Sequence, residues 1–185
     1  MFAQQSFARR NFLTGAAAVA LVACGSQTDS QAQTDQEAEA VKKHDTSKIP
    51  DYEKWQLSDS EWKERLSPEA YAVLRKEATE RPFTSPYNDE KRDGVFACAG
   101  CGFDLFKSET KFESGTGWPS FADFIPGQLE TKRDFKLILP RTEYHCARCG
   151  GHQGHVFEDG PAPTGLRYCN NGVALTFKPS AAEKA

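Results

Sequence analysis

Two Cys-x-x-Cys pairs constrain the fold of this chain more than any other feature of its sequence. They are Cys98-Ala-Gly-Cys101 and Cys146-Ala-Arg-Cys149, and a glycine follows the second cysteine of each pair. A tight turn of this kind directs two sulfur atoms toward one point, and the glycine lets the backbone approach closely. Together the pairs supply four thiolates for one tetrahedral Zn²⁺ ion. We therefore expect one structural zinc site per chain.

Two other interpretations of these cysteines remain open. A thioredoxin-like dithiol needs a single Cys-x-x-Cys pair in a helix and strand framework, whereas this chain has two pairs in turn-rich sequence. A pair of disulfides is compatible with an exported protein. The duplicated spacing favours zinc over both alternatives.

The first 24 residues have the features of an export signal. Arg9 and Arg10 precede an apolar run from Leu13 to Ala23, which is shorter than a membrane span. This pattern is typical of a twin-arginine signal. The run ends in Leu-Val-Ala-Cys24, which resembles a lipobox with an acylated cysteine, and ordinary cleavage beside an incidental cysteine is the alternative. We expect a bacterial periplasmic protein whose only membrane contact is a lipid anchor at Cys24.

The rest of the chain divides by composition. Residues 25–50 contain almost no large apolar side chain, so they predict a flexible linker. A domain over residues 51–180 and a tail over 181–185 follow, and a chain of 185 residues is expected to hold one core. The formal net charge of -3 gives no broad basic face, so we expect no nucleic-acid partner.

Two short helices are predicted at the start of the domain. Ser58 and Glu61 form a capping-box pattern. Ser67 is a good N-cap before Pro68, and this second helix should end before Pro82.

Short apolar clusters from residue 94 onward, separated by Gly, Pro, Asp and Asn, predict brief strands in a small antiparallel sheet system. The fold class is therefore mainly β. The clusters are Val95-Phe96, Phe103 to Phe106, Phe135 to Leu139, Val156-Phe157 and Val173 to Phe177.

Cys169 is the one cysteine of the domain outside the two pairs, and it lies in the sequence Arg167-Tyr-Cys-Asn-Asn171. A thiol beside a cationic Arg167 and within reach of histidines is in the setting that lowers a thiol pKa and yields a thiolate. A buried structural cysteine is the alternative. The polar neighbours favour a reactive thiol.

Histidines and a tryptophan supply the other candidate groups. The spacing of His152 and His155 could suggest a second metal, but its ligand set would be incomplete, so acid-base work fits better. A buried structural pair is the alternative. His145, beside a zinc ligand, is expected to be a strand residue or a residue that supports the metal ligands. Trp118 lies in a glycine-rich loop, where its indole face suits a methyl-sulfur group, although a lone tryptophan is more often part of a core.

These motifs together resemble the R-specific methionine sulfoxide reductases over roughly residues 55 to 178. The resemblance implies reduction of methionine R-sulfoxide, free or in proteins, and repair of oxidised proteins. It also implies two small antiparallel sheets with N-terminal helices and a structural zinc. The segments that carry it are SDSEWKERLSPEAYAVLR, ERPFTSPY, GVFACAGCG, FESGTGWPSF, EYHCARCGGHQGHVFEDGP and LRYCNNGVALTF.

The resemblance also implies roles for individual residues. Cys169 matches the nucleophile, His152 and His155 match the catalytic pair, and Trp118 matches the wall of a methyl pocket. Supporting, substrate-binding positions are matched by Arg167, Asn171 and Asp159.

Two positions depart from the family pattern. Asn170 stands where relatives often have an apolar residue, and Thr116 stands where many have a second, resolving cysteine. The implied chemistry is attack by the Cys169 thiolate with protonation by a histidine, which leaves a sulfenic acid. We expect an external thiol to regenerate the enzyme, from a thioredoxin-like, glutaredoxin-like or small-thiol reductant, unless Cys24 is free to do so.

Two other classes of function stay open at this point. A zinc-ribbon-like binding module would leave Cys169 and the histidines dispensable. A thiol-disulfide oxidoreductase would need one redox-active cysteine pair.

Overall fold

The computed structural model describes residues 45–136 and 139–180. The predicted export signal, the lipidation site at Cys24, most of the predicted linker and the tail lie outside the described residues. The last part of the predicted linker, residues 45–50, contains a 3-10 turn over Thr46–Lys48 and a buried Ile49 that packs into the core. Within the described ranges, no helix has the length and apolar character needed to cross a bilayer.

Both predicted helices are present with the predicted caps. Helix α1 spans Asp59–Arg65, and Ser58 and Glu61 each accept a hydrogen bond from the other's backbone amide, which completes the capping box. Helix α2 spans Pro68–Lys76, and the Ser67 hydroxyl accepts a hydrogen bond from the Ala70 amide at 3.1 Å. The chain leaves α2 at Glu77, which has a left-handed backbone conformation.

Two antiparallel sheets follow the helices, as the resemblance implies. One sheet has three strands in the order β2-β1-β9, and the other has six in the order β3-β4-β8-β7-β6-β5. The strands are β1 (Gly94–Cys98), β2 (Asp104–Lys107), β3 (Lys111–Phe112), β4 (Ser120–Phe121), β5 (Leu129–Asp134), β6 (Arg141–Cys146), β7 (His152–Phe157), β8 (Arg167–Asn170) and β9 (Leu175–Pro179). Short 3-10 turns over Tyr52–Trp55, Pro86–Asn88, Ser108–Thr110 and Gly172–Ala174 join some of these elements.

An aromatic core joins the two sheets. Phe96 and Phe106 from the three-stranded sheet pack against Phe121 of the six-stranded sheet, with ring centroids 5.1 Å and 4.1 Å away. Tyr144 and Tyr168 extend the cluster behind the central strands. Burying side chains of this size contributes about 1.5–3 kcal/mol each. The cluster therefore fixes the strands that carry the candidate site.

One predicted strand is wrong. Phe135 and Leu139, predicted as parts of a strand, lie in the connection between β5 and β6, and both side chains are exposed. The strands on either side end where Asp134 pairs with Arg141. The apolar cluster misled the prediction because the true strands β5 and β6 are rich in polar residues, whereas the turn between them is apolar.

Candidate active site and metal centre

The four paired cysteines meet at one point. Cys98 begins its turn at the end of β1 and Cys146 at the end of β6, so the topology brings two distant turns together. The amides of Gly102 and Gly150 donate to the carbonyls of these two cysteines at 2.7 Å and 2.9 Å, and both glycines have a positive φ. Glycine is favoured at such a position because it has no Cβ atom.

The sulfur positions fit a tetrahedral metal ion. The four Sγ atoms lie within 4.8 Å of one another. Cys98 Sγ is 3.7 Å from Cys149 Sγ, and Cys101 Sγ is 3.6 Å from Cys146 Sγ. Ligands at about 2.3 Å from a tetrahedral Zn²⁺ are about 3.8 Å apart, whereas bonded disulfide sulfurs are about 2.05 Å apart. The arrangement is therefore that of a structural metal site, as the duplicated spacing predicts.

Cys169 lies in the centre of the six-stranded sheet. It is on β8, and its direct partners across the sheet are Ser120 on β4 and His155 on β7. Residues paired in this way on adjacent antiparallel strands have Cβ atoms about 4.5–5.5 Å apart, and their side chains leave the sheet on the same face. The strand pairing thus brings the predicted thiol and the predicted histidine to one face.

The environment of Cys169 acts on its pKa in opposite directions. Burial raises the pKa of the Cys169 thiol and prevails, while the charge of Arg167 and a hydrogen bond with Thr116 lower it. The net effect is opposite to the lowered thiol pKa expected from the sequence, although Arg167 acts in the expected direction. The Thr116 hydroxyl is part of a short chain, since it lies 2.8 Å from the Ser114 hydroxyl, which is 2.8 Å from that of Ser120.

His155 is held by an acid that the sequence analysis did not identify. Its Nε2 atom is 2.8 Å from Asp134 Oδ2, which also accepts from Arg141 at 2.6 Å. Burial lowers the pKa of His155, Asp134 opposes this effect, and the charge of Arg141 adds to it. A backbone hydrogen bond from Lys136 and the bond from His155 lower the pKa of Asp134, which keeps it an anion.

His152 is bound to a second acid and lies behind His155. Its Nδ1 atom is 2.6 Å from Glu143 Oε1, and the two imidazole centroids are 5.5 Å apart. Glu143 also contacts His145 Nδ1 at 3.1 Å. Burial raises the pKa of Glu143. The hydrogen bonds from His145 and His152 outweigh this effect and bring the pKa to about 2. His145 is a residue of strand β6, as predicted.

A small cavity of about 110 Å³ opens over Cys169. Three other predicted site residues line it: His155, Trp118 and Asn171. His152, Arg167 and Asp159 are not in its wall. The remaining lining residues are Thr79, Arg141, Gly154, Phe157 and Asn170.

Arg167 and Asp159 form a pair beside the cavity. Arg167 donates two hydrogen bonds to Asp159, at 2.8 Å and 3.0 Å, and its guanidinium lies 4.4 Å from the ring centroid of Phe157. Arg167 is buried, whereas the Asp159 side chain is 61% exposed. This bidentate contact fixes the cation behind a residue of the cavity wall.

Glu80 holds two cavity residues in place, although sequence reasoning did not point to it. Its carbonyl accepts from the Trp118 indole N–H at 2.9 Å, and its amide donates to Asn171 Oδ1 at 2.8 Å. Its carboxylate accepts from the Gly172 amide at 2.5 Å. The segment after α2 thereby positions Trp118 and Asn171 in the wall of the cavity.

A buried polar network connects the metal centre with the strand of Cys169. Gln153 Nε2 donates to Cys98 Sγ at 3.4 Å, and Gln153 Oε1 accepts from Asn170 Nδ2 at 3.4 Å. Asn170 Oδ1 accepts from the Tyr144 hydroxyl at 2.8 Å, and the Gln153 carbonyl accepts from Asn171 Nδ2 at 2.8 Å. The unusual asparagine at position 170 is therefore accommodated by buried partners rather than by solvent.

No simple sequence signal distinguishes the partners that were missed. Asp134 lies in a strand that also contains exposed charged residues such as Lys132, and Glu143 and Gln153 are each one polar residue among several in their strands. Their importance comes from cross-strand register, which places them beside the histidines.

Comparison with known proteins agrees with this geometry. The model of the SelR domain family matches residues 66–179. Peptide methionine sulfoxide reductase MsrB of Methanosarcina barkeri is 57% identical over 122 residues, which are 65% of this chain and 86% of that protein. The protein of the same name from Agrobacterium fabrum is 52% identical over 123 residues, or 66% of this chain and 91% of the relative.

A plant relative has the same similarity over a smaller share of its length. Peptide methionine sulfoxide reductase B1, chloroplastic, of Arabidopsis thaliana is 52% identical over 120 residues, which are 64% of this chain and 59% of that protein. The family match covers most of the described domain and includes both cysteine turns, the histidine pair and Cys169. The chain belongs to the SelR domain family of peptide methionine sulfoxide reductases.

Proposed function

We propose that this protein reduces the R epimer of methionine sulfoxide to methionine, with Cys169 as the nucleophile. One observation carries the proposal: Cys169 and His155 are direct cross-strand partners and line the same small cavity as Trp118. A thiol and a proton donor must both reach one S–O bond, and this arrangement supplies them from adjacent strands. The indole supplies an apolar, polarisable wall for the S-methyl group.

The reaction transfers one oxygen atom. The Cys169 thiolate attacks the substrate at the sulfoxide group, and one proton is delivered to the oxygen as the S–O bond of the substrate breaks. The Cys169 sulfur is oxidised by two electrons and carries the oxygen as a sulfenic acid, while the substrate sulfur is reduced by two electrons. Methionine then leaves.

Of the two histidines, His155 is the better proton donor. It lines the cavity, whereas His152 does not. Its Nε2 contact with Asp134 stabilises the imidazolium form against burial and the charge of Arg141. His152, bonded to Glu143, supports the orientation of His155 from behind and acts as a positioning residue.

Substrate entry is expected to activate the nucleophile. Burial raises the pKa of Cys169, so the thiolate has to be favoured by Arg167, by Thr116 and by proton transfer within the complex. Arg167, fixed by Asp159, is the positive charge that lowers the pKa of Cys169. Asn171, held by Glu80, supplies a polar group to the wall of the cavity.

Regeneration needs an external thiol. One thiol attacks the sulfenic acid, which gives a mixed disulfide with Cys169 and releases water. A second thiol then attacks this mixed disulfide, so that a disulfide forms between the two reductant sulfurs and the Cys169 thiol is released. Thr116 supplies a hydroxyl rather than a thiol at the loop position, and the four other described cysteines form the metal centre. The reductant is a thioredoxin-like protein, a glutaredoxin-like protein or a small thiol.

Zinc is the metal we propose for the four-cysteine centre. When bound, it would stabilise the two turns and hold the ends of β1 and β6 together. None of the four cysteines lines the cavity, and four thiolates leave no open position on a tetrahedral ion, which supports a structural role.

Export and anchoring remain part of the proposal on sequence grounds. The adjacent Arg9 and Arg10 and the Leu-Val-Ala-Cys24 motif support twin-arginine export and acylation in the bacterial periplasm. Cell fractionation tests this: Cys24→Ala should move the protein from the membrane to the soluble periplasmic fraction. If the variant stays in the membrane fraction, the lipid anchor is wrong.

Epimer-resolved kinetics test the main proposal. The zinc-loaded protein, with dithiothreitol as reductant, should turn over N-acetyl-methionine R-sulfoxide and leave the S epimer unchanged. Turnover of the S epimer at a similar rate would contradict R specificity. An absence of turnover with both epimers would contradict the proposed reaction.

A further inference from the structure

A second cavity lies beside the one that contains Cys169. We call it the flanking cleft, and its volume is about 150 Å³. Its apolar side is formed by Phe83, Phe112, Trp118 and Pro119, and the rest of its lining is mainly polar and includes Asp89 and Lys111. A protein cavity of about this size admits a benzene ring. The flanking cleft can therefore hold one apolar side chain.

Trp118 forms a wall of both cavities. Its orientation is fixed, because its indole N–H donates to the Glu80 carbonyl. The flanking cleft thus shares the Trp118 wall with the proposed sulfoxide site and lies next to it. Successive residues of an extended peptide are about 3.3–3.6 Å apart, so a substrate chain with its sulfoxide over Cys169 carries neighbouring residues past Trp118.

Phe83, at the edge of the flanking cleft, is exposed in a way that the fold alone does not require. Its side chain is 73% exposed, and its backbone has φ of 62°. A left-handed conformation is unfavourable for a bulky residue other than glycine. The Phe83 amide donates to the Gly117 carbonyl at 2.7 Å, so the strained segment is tied to the loop that carries Trp118.

The ring of Phe83 lies directly over Gly117. A Cβ atom at position 117 would come within 2.9 Å of two carbons of that ring. The glycine thus allows an aromatic side chain to lie against the loop and face the cleft. Backbone strain and an exposed apolar side chain together are typical of positions that contact a ligand.

We propose that the flanking cleft binds an apolar side chain that neighbours methionine sulfoxide in a polypeptide substrate, with Phe83 as its main contact. The proposal rests on the proposed function, since it assigns a second subsite to the same substrate. The protein should therefore prefer polypeptides in which an apolar residue neighbours the methionine sulfoxide over those in which the neighbour is small or polar.

A peptide series tests the proposal on the zinc-loaded protein. The parent peptide is acetyl-Gly-Gly-(methionine R-sulfoxide)-Gly-Gly-amide, and in four others one glycine at a time is replaced by phenylalanine. For at least one position we expect kcat/KM to rise about tenfold over the parent, which corresponds to about 1.4 kcal/mol of binding. Equal values for all five peptides would overturn the proposal.

Variants of Phe83 connect that preference with the cleft. Phe83→Asn removes the ring but keeps the backbone N–H that donates to Gly117, and asparagine tolerates a left-handed backbone. We expect the ratio of kcat/KM for the preferred peptide to that for the parent to fall close to one. Phe83→Tyr, which keeps the ring, should retain the ratio, and so should Phe135→Asn, which removes an equally exposed ring outside the cleft. A ratio that Phe83→Asn leaves intact would overturn the assignment.

The two proposals fail in different ways. If N-acetyl-methionine R-sulfoxide is not reduced by the unmodified protein, the proposed function is wrong. If it is reduced but kcat/KM is the same for all five peptides, only the flanking cleft assignment is wrong. If Phe83→Asn lowers kcat/KM equally for all peptides while the ratio stays constant, Phe83 only supports the loop, which also contradicts the assignment.

Discussion

The Oδ2 atom of Asp134 lies 2.8 Å from the Nε2 atom of His155. The same oxygen accepts from Arg141 at 2.6 Å, so one carboxylate lies between a histidine and a permanent cation. Burial and Arg141 both favour neutral His155, and Asp134 is the group that favours its protonated form. The protonation state of His155 therefore depends on Asp134.

Asp134→Asn should lower the pKa of His155 further, because the imidazolium loses its anionic partner. A proton donor acts only below its own pKa, so the alkaline limb of the pH profile of kcat should move to lower pH. At pH 7 we expect kcat to fall by roughly 10- to 100-fold, within the range that general acid catalysis supplies. The measurements are kcat against pH and the NMR titration of His155.

Asp104→Asn is the matched control for this variant. Asp104 also forms an ion pair with a side-chain cation, Lys178, at 2.6 Å, but it lies in the three-stranded sheet. The pH profile of kcat for Asp104→Asn should overlay that of the unmodified protein. An unchanged profile for Asp134→Asn as well would exclude His155 as the acid that Asp134 supports.

Glu143→Gln should change the response of stability to acid. The folded-state pKa of Glu143 is about 2 and the ordinary value is 4.5, so its carboxylate stabilises the fold above pH 4.5. That contribution is lost as the pH falls toward 2. At pH 7 the variant should lose about 1–3 kcal/mol, because a buried acceptor for two histidines is weakened. Between pH 7 and pH 4, the difference in unfolding free energy from the unmodified protein should begin to narrow.

Urea unfolding at both pH values measures this difference. Glu109→Gln is the control, since Glu109 is exposed and its ion pair with Lys107 at 3.3 Å lies on the surface. The control should track the unmodified protein at both pH values. A constant gap between Glu143→Gln and the unmodified protein from pH 7 to pH 4 would show that folding does not lower the pKa of Glu143.

Cys98→Ser should remove the metal and destabilise the domain, because metal binding is coupled to folding. The effect on Tm should be large, since Cys98 is fully buried between the turn and Gln153. Metal content by mass spectrometry and Tm by circular dichroism report the outcome. Cys169→Ser, which keeps all four ligands, should retain one zinc per chain. A metal-free Cys98→Ser protein with an unchanged Tm would contradict the structural role.

Thr116→Cys should install a resolving thiol. The Thr116 side chain is close enough to lower the pKa of the Cys169 thiol, so a sulfur at this position is expected to reach the proposed sulfenic acid. After one turnover without reductant, mass spectrometry should find a disulfide between the introduced thiol and Cys169. Thr131→Cys, on the exposed edge strand β5, should form none. If Thr116→Cys keeps the sulfenic acid, the loop does not close on Cys169.

The sequence predicts the local parts of this protein well. The caps at Ser58 and Ser67, the metal cluster and the gathering of Cys169, His155, Trp118 and Asn171 are all found in the structure. The caps and the cysteine turns are encoded by short motifs of neighbouring residues. The meeting of Cys169 with His155 was implied by the family resemblance, because it depends on the pairing of β7 with β8. The family resemblance supplied the two-sheet architecture, which no single motif specifies.

What could not be predicted depends on pairing between distant strands. Asp134 reaches His155 only because β5 pairs with β6 and β6 with β7. Sequence analysis identified Asn170 as a departure from the family but could not show that Gln153 and Tyr144 satisfy it. The strand predicted over Phe135 to Leu139 failed for the same reason, since register and not local apolarity decides where β5 ends.

A single-turnover experiment tests the central claim most directly. The reduced, zinc-loaded protein is mixed with excess N-acetyl-methionine R-sulfoxide and no reductant, in the presence of dimedone, which reacts with sulfenic acids. We predict one N-acetyl-methionine per chain and one dimedone adduct, located on Cys169 by peptide mass spectrometry, whereas Cys169→Ser should give neither. Product formed by Cys169→Ser, or an oxidised cysteine elsewhere in place of Cys169, would contradict the assignment of the nucleophile.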